Sequence, residues 1–351
     1  MTVIPGEPAA GALPPAPQGA RASVPPPPVY RDRGGLLRFF GVVEILIGCL
    51  CALLGVLGTL VLSLSARIGV PPEPAAPPRL LWVNLLVYAA AATFLITMGI
   101  GTLRAKRWAR VLMLITSWPV LVTFVLGTIW IAVLMPGLMA RSPDASPEAA
   151  RIAMIVIVVF SALLALVPLS FILFYSGRNV RATFENRDRT PTWVDGRPMP
   201  ILGLTVAMWG CGAATLLALP RGMAPFFGLV LTGWPAVGVI LLQAFVWVWL
   251  GRQIYWMTPA GWWANVVLVT LGHLSGWITF RTIGWDRFVA LYSGEEAIRA
   301  IDPSMMAMMR GMMLWVTPLS LVLWLLTLVW LRWRYYHAEG NPLRSTASPP
   351  C

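Results

Sequence analysis

Gly177-Arg-Asn-Val-Arg-Ala-Thr-Phe-Glu-Asn-Arg-Asp-Arg-Thr-Pro-Thr-Trp-Val-Asp-Gly-Arg-Pro-Met199 is the most polar interruption inside an otherwise apolar chain. It carries five arginines against three acids. Four long apolar runs precede it and four follow, so the stretch reads as a basic linker between two membrane halves. The runs cover 39–65, 80–103, 111–135 and 152–176, then 200–219, 225–250, 261–280 and 312–331. Each is near the roughly 20 apolar residues that cross about 30 Å of hydrocarbon as a helix. The predicted fold is therefore an all-α polytopic transmembrane bundle of eight spans. Its parts are a polar tail (1–35), a first half (36–176), the linker (177–199), a second half (200–334) and a polar tail (335–351).

Composition excludes the water-soluble classes. Of 351 residues 58% are hydrophobic and 11% are charged, against about 25% charged in an ordinary globular domain. Hydrocarbon offers the backbone no partners, so a span satisfies its own amides as a helix or a closed barrel. A barrel alternates apolar and polar residues; Val111–Ile115 and Ile155–Phe160 do not.

The formal charge of +12 does not point to nucleic acid, because its arginines flank spans rather than forming a stripe or finger. With the amino terminus inside, the cytoplasmic segments hold 17 of the 26 Lys and Arg. The outer segments hold 9, balanced by seven acids. That is the positive-inside pattern, and it predicts both termini in the cytoplasm of a bacterial inner-membrane protein. The tail before the first span has nine prolines in 28 positions and reads as unstructured. It lacks the layout of a signal peptide. Cys49, Cys51, Cys211 and Cys351 have no zinc spacing and no prenylation box. Trp82, Trp108, Trp256, Trp262, Trp263, Trp285, Trp330 and Trp333 fall near span ends, where indole suits the headgroup region.

Two similarities run along the chain. Arg107-Trp108-Ala109-Arg110 opens the third span and Trp262-Trp263-Ala264 the seventh. Pro168-Leu-Ser170 recurs as Pro318-Leu-Ser320. The offsets of 155 and 150 suggest a 4+4 parallel repeat about an axis along the membrane normal, as in some transporters; the alternative is coincidence in apolar sequence. The Arg-Trp-Ala-Arg turn and the Trp-Trp-Ala opening also resemble uncharacterised bacterial multi-pass membrane proteins. That resemblance brings no activity, and no residue role is carried over from it.

Few residues inside the spans can carry chemistry. Glu44 is the only acid predicted within one, a functional hypothesis in its own right; near the span's start, it is also placed to reach the headgroups or pair with Arg38. His273 lies 12 residues into the seventh span, near midplane. Gly272 and Gly276 beside it allow close approach of another helix, and Ser275 and Trp277 are near. Gln243 and Asn265 lie at similar depths on consecutive spans and are expected to bond to each other. Asn84 is interfacial. Pro119, Pro168, Pro235 and Pro318 are placed to kink their helices. Met305, Met306, Met308, Met309, Met312 and Met313 gather at the outer mouth of the last span; thioethers suit Cu(I) but also serve as packing residues. Ser293-Gly-Glu-Glu296 has the form of a capping box.

No phosphate loop, dinucleotide fingerprint, zincin helix or nucleophile elbow is present, so no cofactor is expected. The leading expectation is a structural or interaction protein with the lipid bilayer and other membrane proteins as partners. The alternative is a secondary transporter with a midplane site near His273. A membrane-embedded enzyme ranks last, since no second titratable group stands near His273 in sequence.

Overall fold

The computed structural model describes residues 31–68, 78–139, 147–293 and 303–336. Eight of its helices are long and apolar enough to cross a bilayer, and the chain is a multi-pass helical membrane protein. The first half comprises α1 (Gly34–Ile68), α2 (Pro78–Leu103), α3 (Arg107–Met139) and α4 (Pro147–Ser176). A short helix, α5 (Arg178–Arg187), follows. The second half comprises α6 (Met199–Leu216), α7 (Trp234–Tyr255), α8 (Pro259–Ile283), a short α9 (Trp285–Ser293) and α10 (Pro303–Leu331). Between α6 and α7 sit two strands, β1 (Met223–Phe226) and β2 (Leu229–Thr232).

Inside the spans most hydroxyls turn to their own helix. Thr59, Thr116, Ser117, Thr215 and Thr279 each donate to the carbonyl four residues back, which satisfies a polar side chain where no water competes. Starts and stops follow local chemistry. The Thr258 hydroxyl accepts the Gly261 amide as an N-cap of α8. Pro235 stands at the second position of α7, not in mid-span, where its missing N–H costs no helical bond.

The closest helix contact joins α1 and α2, and glycine permits it. A Cβ at Gly99 would stand 2.7 Å from the Gly41 carbonyl oxygen, and one at Gly48 would stand 3.1 Å from that of Ala92. The expected small-residue contact in α8 is not formed, since a Cβ at Gly272 or Gly276 would meet nothing within 4 Å. On α1 the glycines that admit α2 lie seven apart, at Gly41, Gly48 and Gly55, and Gly212 of α6 admits α7 in the same way.

The polar stretch 177–199 is folded onto the bundle. Val180, Thr183 and Phe184 are buried on one side of α5. The Arg33 amide donates to the Thr183 hydroxyl at 3.2 Å, and Arg187 pairs with Asp32 at 2.7 Å. Asp188 accepts from the Arg107 amide at 3.3 Å and from Lys106 Nζ at 3.3 Å, so a carboxylate of the linker caps the start of α3. Asp195 pairs with Arg107 at 3.5 Å. Val194 packs with Val111 and Leu202, and the Tyr255 hydroxyl donates to the Trp193 carbonyl at 2.9 Å. The linker thus braces the ends of α1, α3, α6 and α7 and forms the linker face of the bundle.

At the opposite end the turn expected at 220–222 is followed by a hairpin, and the sixth span begins at Trp234 rather than at residue 225. Met223 pairs with Thr232 and Phe226 with Leu229. Phe227 and Gly228 make the two-residue turn with positive φ at both positions, 41° and 92°, the geometry that matches strand twist in tight hairpins. Their amides donate to the Ser275 hydroxyl at 2.9 Å and the Thr279 hydroxyl at 3.0 Å. Non-helical backbone beside a span needs such partners, and α8 supplies them. The capping-box segment, Met305's side chain and both tails beyond 31–336 lie outside the described residues.

Candidate functional site

One acid and two hydroxyls of the spans come together at one place, near the linker face of the first half. Glu44 projects from α1, three turns from its start. Thr102 and Tyr175 project from the last turns of α2 and α4. All three side chains are fully buried. Thr102 donates to Glu44 Oε2 at 3.0 Å, the Tyr175 hydroxyl donates to Glu44 Oε1, and the two hydroxyls stand 2.8 Å apart. Three helices far apart in sequence are closed into one ring of hydrogen bonds. The anticipated partner, Arg38, is exposed, and hydroxyls hold the acid instead.

Aromatic rings enclose this ring. Phe40 and Phe174 stack at 3.9 Å between centroids. Phe40 and Phe171 each lie 6.4 Å from Tyr175. Phe184 of α5 covers it from the linker side at 6.2 Å. Arg110 Nε donates to the Tyr175 carbonyl at 3.0 Å, which fixes the end of α4. The two hydroxyls bring two protons to three contacts. A protonated carboxyl would bring the third.

Outside the spans, two of the acids that dock the linker, Asp188 and Asp32, are held below the ordinary aspartate range. For Asp188 the largest cause is the hydrogen bond from Thr190, followed, against the opposing effect of burial, by the Arg107 amide and Lys106. For Asp32 it is the hydrogen bond from Arg187, with burial again opposing.

The other sequence candidates do not converge on Glu44. His273 is half-buried on α8, and its Nδ1 lies 2.8 Å from the Val269 carbonyl of the same helix; Ser275 is taken by the hairpin. Gln243 is exposed on α7. Asn265 is fully buried and donates to the Gly261 carbonyl at 3.0 Å. The expected Gln243–Asn265 bond is absent, because equal depth on adjacent helices did not give facing directions. Three residues before Asn265 on α8, Trp262 belongs to a hydrophobic core with Ile201, Met208, Ile254 and Leu328. Asn265 Oδ1, the Thr205 hydroxyl and Trp324 Nε1 are each buried without a partner among the described residues. The Trp262 indole ties α8 to α10 by donating to the Leu328 carbonyl at 3.0 Å.

Of the methionines, Met306 is buried, Met308, Met309 and Met313 are half-buried, and Met312 Sδ accepts from Trp130 Nε1 at 3.2 Å. Among the described residues no group of three His, Cys, Asp or Glu is placed to hold a metal. No family model, curated protein or solved structure matches the chain. The reading of the site therefore rests on its own chemistry.

Proposed function

We propose that the chain is a structural or interaction protein of the bacterial inner membrane, with the linker face and both termini in the cytoplasm. The observation that supports this most is the lateral surface of the spans. Only 6% of the apolar window of α4, and of α10, is buried within the chain. Phe160, Leu163, Leu319, Leu323 and Leu326 point outward, each more than half exposed. Meanwhile the polar groups of the first half are spent inward, on the Glu44 ring. A bundle that ties its ends together and leaves whole helix faces open is suited to receiving other membrane helices, whose docking depends on side-chain packing. The arginine bias supports the orientation.

Native mass spectrometry of the protein extracted in polymer-bounded membrane patches tests this reading. The expected species is heavier than the 38.4 kDa chain by one or more protein subunits. A population consisting of the single chain with lipid alone would overturn it.

One observation favours a second reading, a proton-linked secondary transporter. Glu44 is a buried acid held by neutral hydroxyls, with no cation paired to it among the described residues. In that reading the site is at Glu44 and not at His273. Proteoliposomes loaded with a pH dye would then show proton uptake that Glu44→Gln abolishes; equal uptake in both would reject it.

A further inference from the structure

The Glu44 ring stands at one end of its helices. Thr102 and Tyr175 are each one residue from the linker-side ends of α2 and α4. In the other direction they are 24 and 28 residues from the far ends of those helices, about 36 and 42 Å at 1.5 Å per residue. Apolar side chains close the flanks, since Leu37, Phe40, Met98, Phe171 and Phe174 share a core cluster with Tyr175. The short way from the carboxyl to water runs past α5. Phe184 of that helix, 1% exposed, lies on Tyr175, and Val180 joins the same cluster.

This cover has little of its own to hold it. It is 10 residues long, and so short a helix is marginal without packing. It buries Val180, Thr183 and Phe184 alone. Its pair with Asp32, through Arg187, is open to water on both sides, and such pairs contribute little. A single residue, Gly177, joins α5 to α4, two positions after Tyr175. Docking of α5 thus rests largely on the packing around Tyr175.

The position of Tyr175 depends in turn on one proton. With a neutral carboxyl, each of the three oxygen contacts of the ring holds one proton. With a carboxylate, both hydroxyl protons turn to its oxygens, the stronger acceptors. The Thr102 and Tyr175 oxygens then face each other at 2.8 Å with no proton between them, so the ionised ring does not keep its closed geometry. No charge nearby compensates. Arg38 of α1 and Arg104 after α2 are exposed. At the start of α3, Lys106 and Arg107 pair with Asp188 and Asp195, and Arg110 Nε donates to the Tyr175 carbonyl. On α4 the charged residues Glu148 and Arg151 are at the far end. On α5, Arg178 is exposed, Arg181 pairs with Glu185 and Arg187 with Asp32.

We propose that the Glu44 ring is a one-sided proton switch for the linker: the carboxyl proton leaves to water at the linker face, the Thr102–Tyr175 contact opens, the Tyr175 ring shifts and α5 is released. A site reached from one side senses the pH of that compartment and carries no net proton across the bilayer. The inference therefore does not rest on the transporter reading, and it holds if Glu44→Gln leaves proton uptake unchanged.

Hydrogen exchange of the full chain in lipid nanodiscs, read over residues 178–187 and corrected for the intrinsic rate at each pH, tests the switch. Between about pH 7.5 and 9 the aspartates stay ionised and Lys106 and the arginines stay charged, so the pairs that dock α5 do not titrate. The docked state holds a proton that the released state lacks, so release is favoured as pH rises. Wild-type protection should fall roughly tenfold across that window. Glu44→Gln, which cannot ionise, should hold its protection level. Tyr175→Phe, which keeps the ring against Phe184 and removes the hydroxyl, should flatten the response as well. A flat wild type would overturn the proposal. So would a wild-type slope retained in Glu44→Gln or, where that chain fails to fold, in Tyr175→Phe. In sealed vesicles with the linker face outward, raising the outer pH alone should reproduce the fall; a response to the inner pH alone would overturn the one-sided access.

Discussion

At the scale of single residues, the first half depends on one carboxylate. Glu44 holds α2 and α4 through two hydroxyls, and such interhelical bonds contribute about 0.6 kcal/mol on average, up to about 1.7. Tyr175→Phe should lower the melting temperature, and so should Glu44→Leu, which strands the Thr102 and Tyr175 hydroxyls. The double substitution should cost less than the sum, because the two share one interaction; strict additivity in thermal unfolding would show that the ring contributes nothing. The Gly99–Gly41 contact gives a second residue-level test. Gly99→Ala forces α1 and α2 apart and should destabilise, whereas Gly272→Ala meets open space and should not. In the second half, Thr205 and Asn265 sit equally deep, each six residues past the start of its helix. Ordered water ordinarily meets such buried polar atoms. Thr205→Val should then lower the melting temperature; a rise would mean that the niche is dry.

At the scale of elements, the linker carries the pH dependence. Asp188 and Asp32 have their carboxyl pKa depressed in the folded state. A depressed pKa contributes stability that is fully present above the unfolded value, about 3.9 for aspartate, and is lost as pH falls through the folded value. Hydrogen exchange of residues 178–195 should therefore stay slow from neutrality down to about pH 4 and quicken below it. Asp32→Asn with Asp188→Asn should flatten that response, and loss of protection near neutral pH would contradict the docking. The element scale also shows what sequence could and could not convey. The spans were legible because a run such as Ile155–Phe160 has no polar residue to place in water. The docking of α5 left a readable trace, Val180, Thr183 and Phe184 at helical spacing inside a basic stretch. So did the hairpin, since Phe227-Gly228 lies between short runs rich in apolar residues, but those runs also read as the start of a span.

At the scale of the molecule, the candidate site was half legible. Glu44 was visible as the one acid in a span. Its partners were not, for Thr102 is 58 residues away and Tyr175 is 131, and no local pattern encodes a contact between helix ends. The Gln243–Asn265 pairing failed for the same reason: depth can be counted along a helix, but the direction a side chain faces depends on how the helices pack. What remains is a bundle whose ends are tied, by the linker at one end and by a hairpin laid on α8 at the other, and whose flanks are open. The turns before α3 and α8 each carry a single residue with left-handed φ, Ala105 and Met257.

The open flanks carry the functional proposal, and photo-crosslinking in living cells addresses them directly. A benzophenone amino acid replacing Phe160 on α4 or Leu319 on α10 should yield discrete protein adducts of fixed mass, while one replacing the buried Phe184 should yield none to other chains. Adducts to lipid alone at both exposed positions would contradict the proposal that these faces receive other membrane proteins.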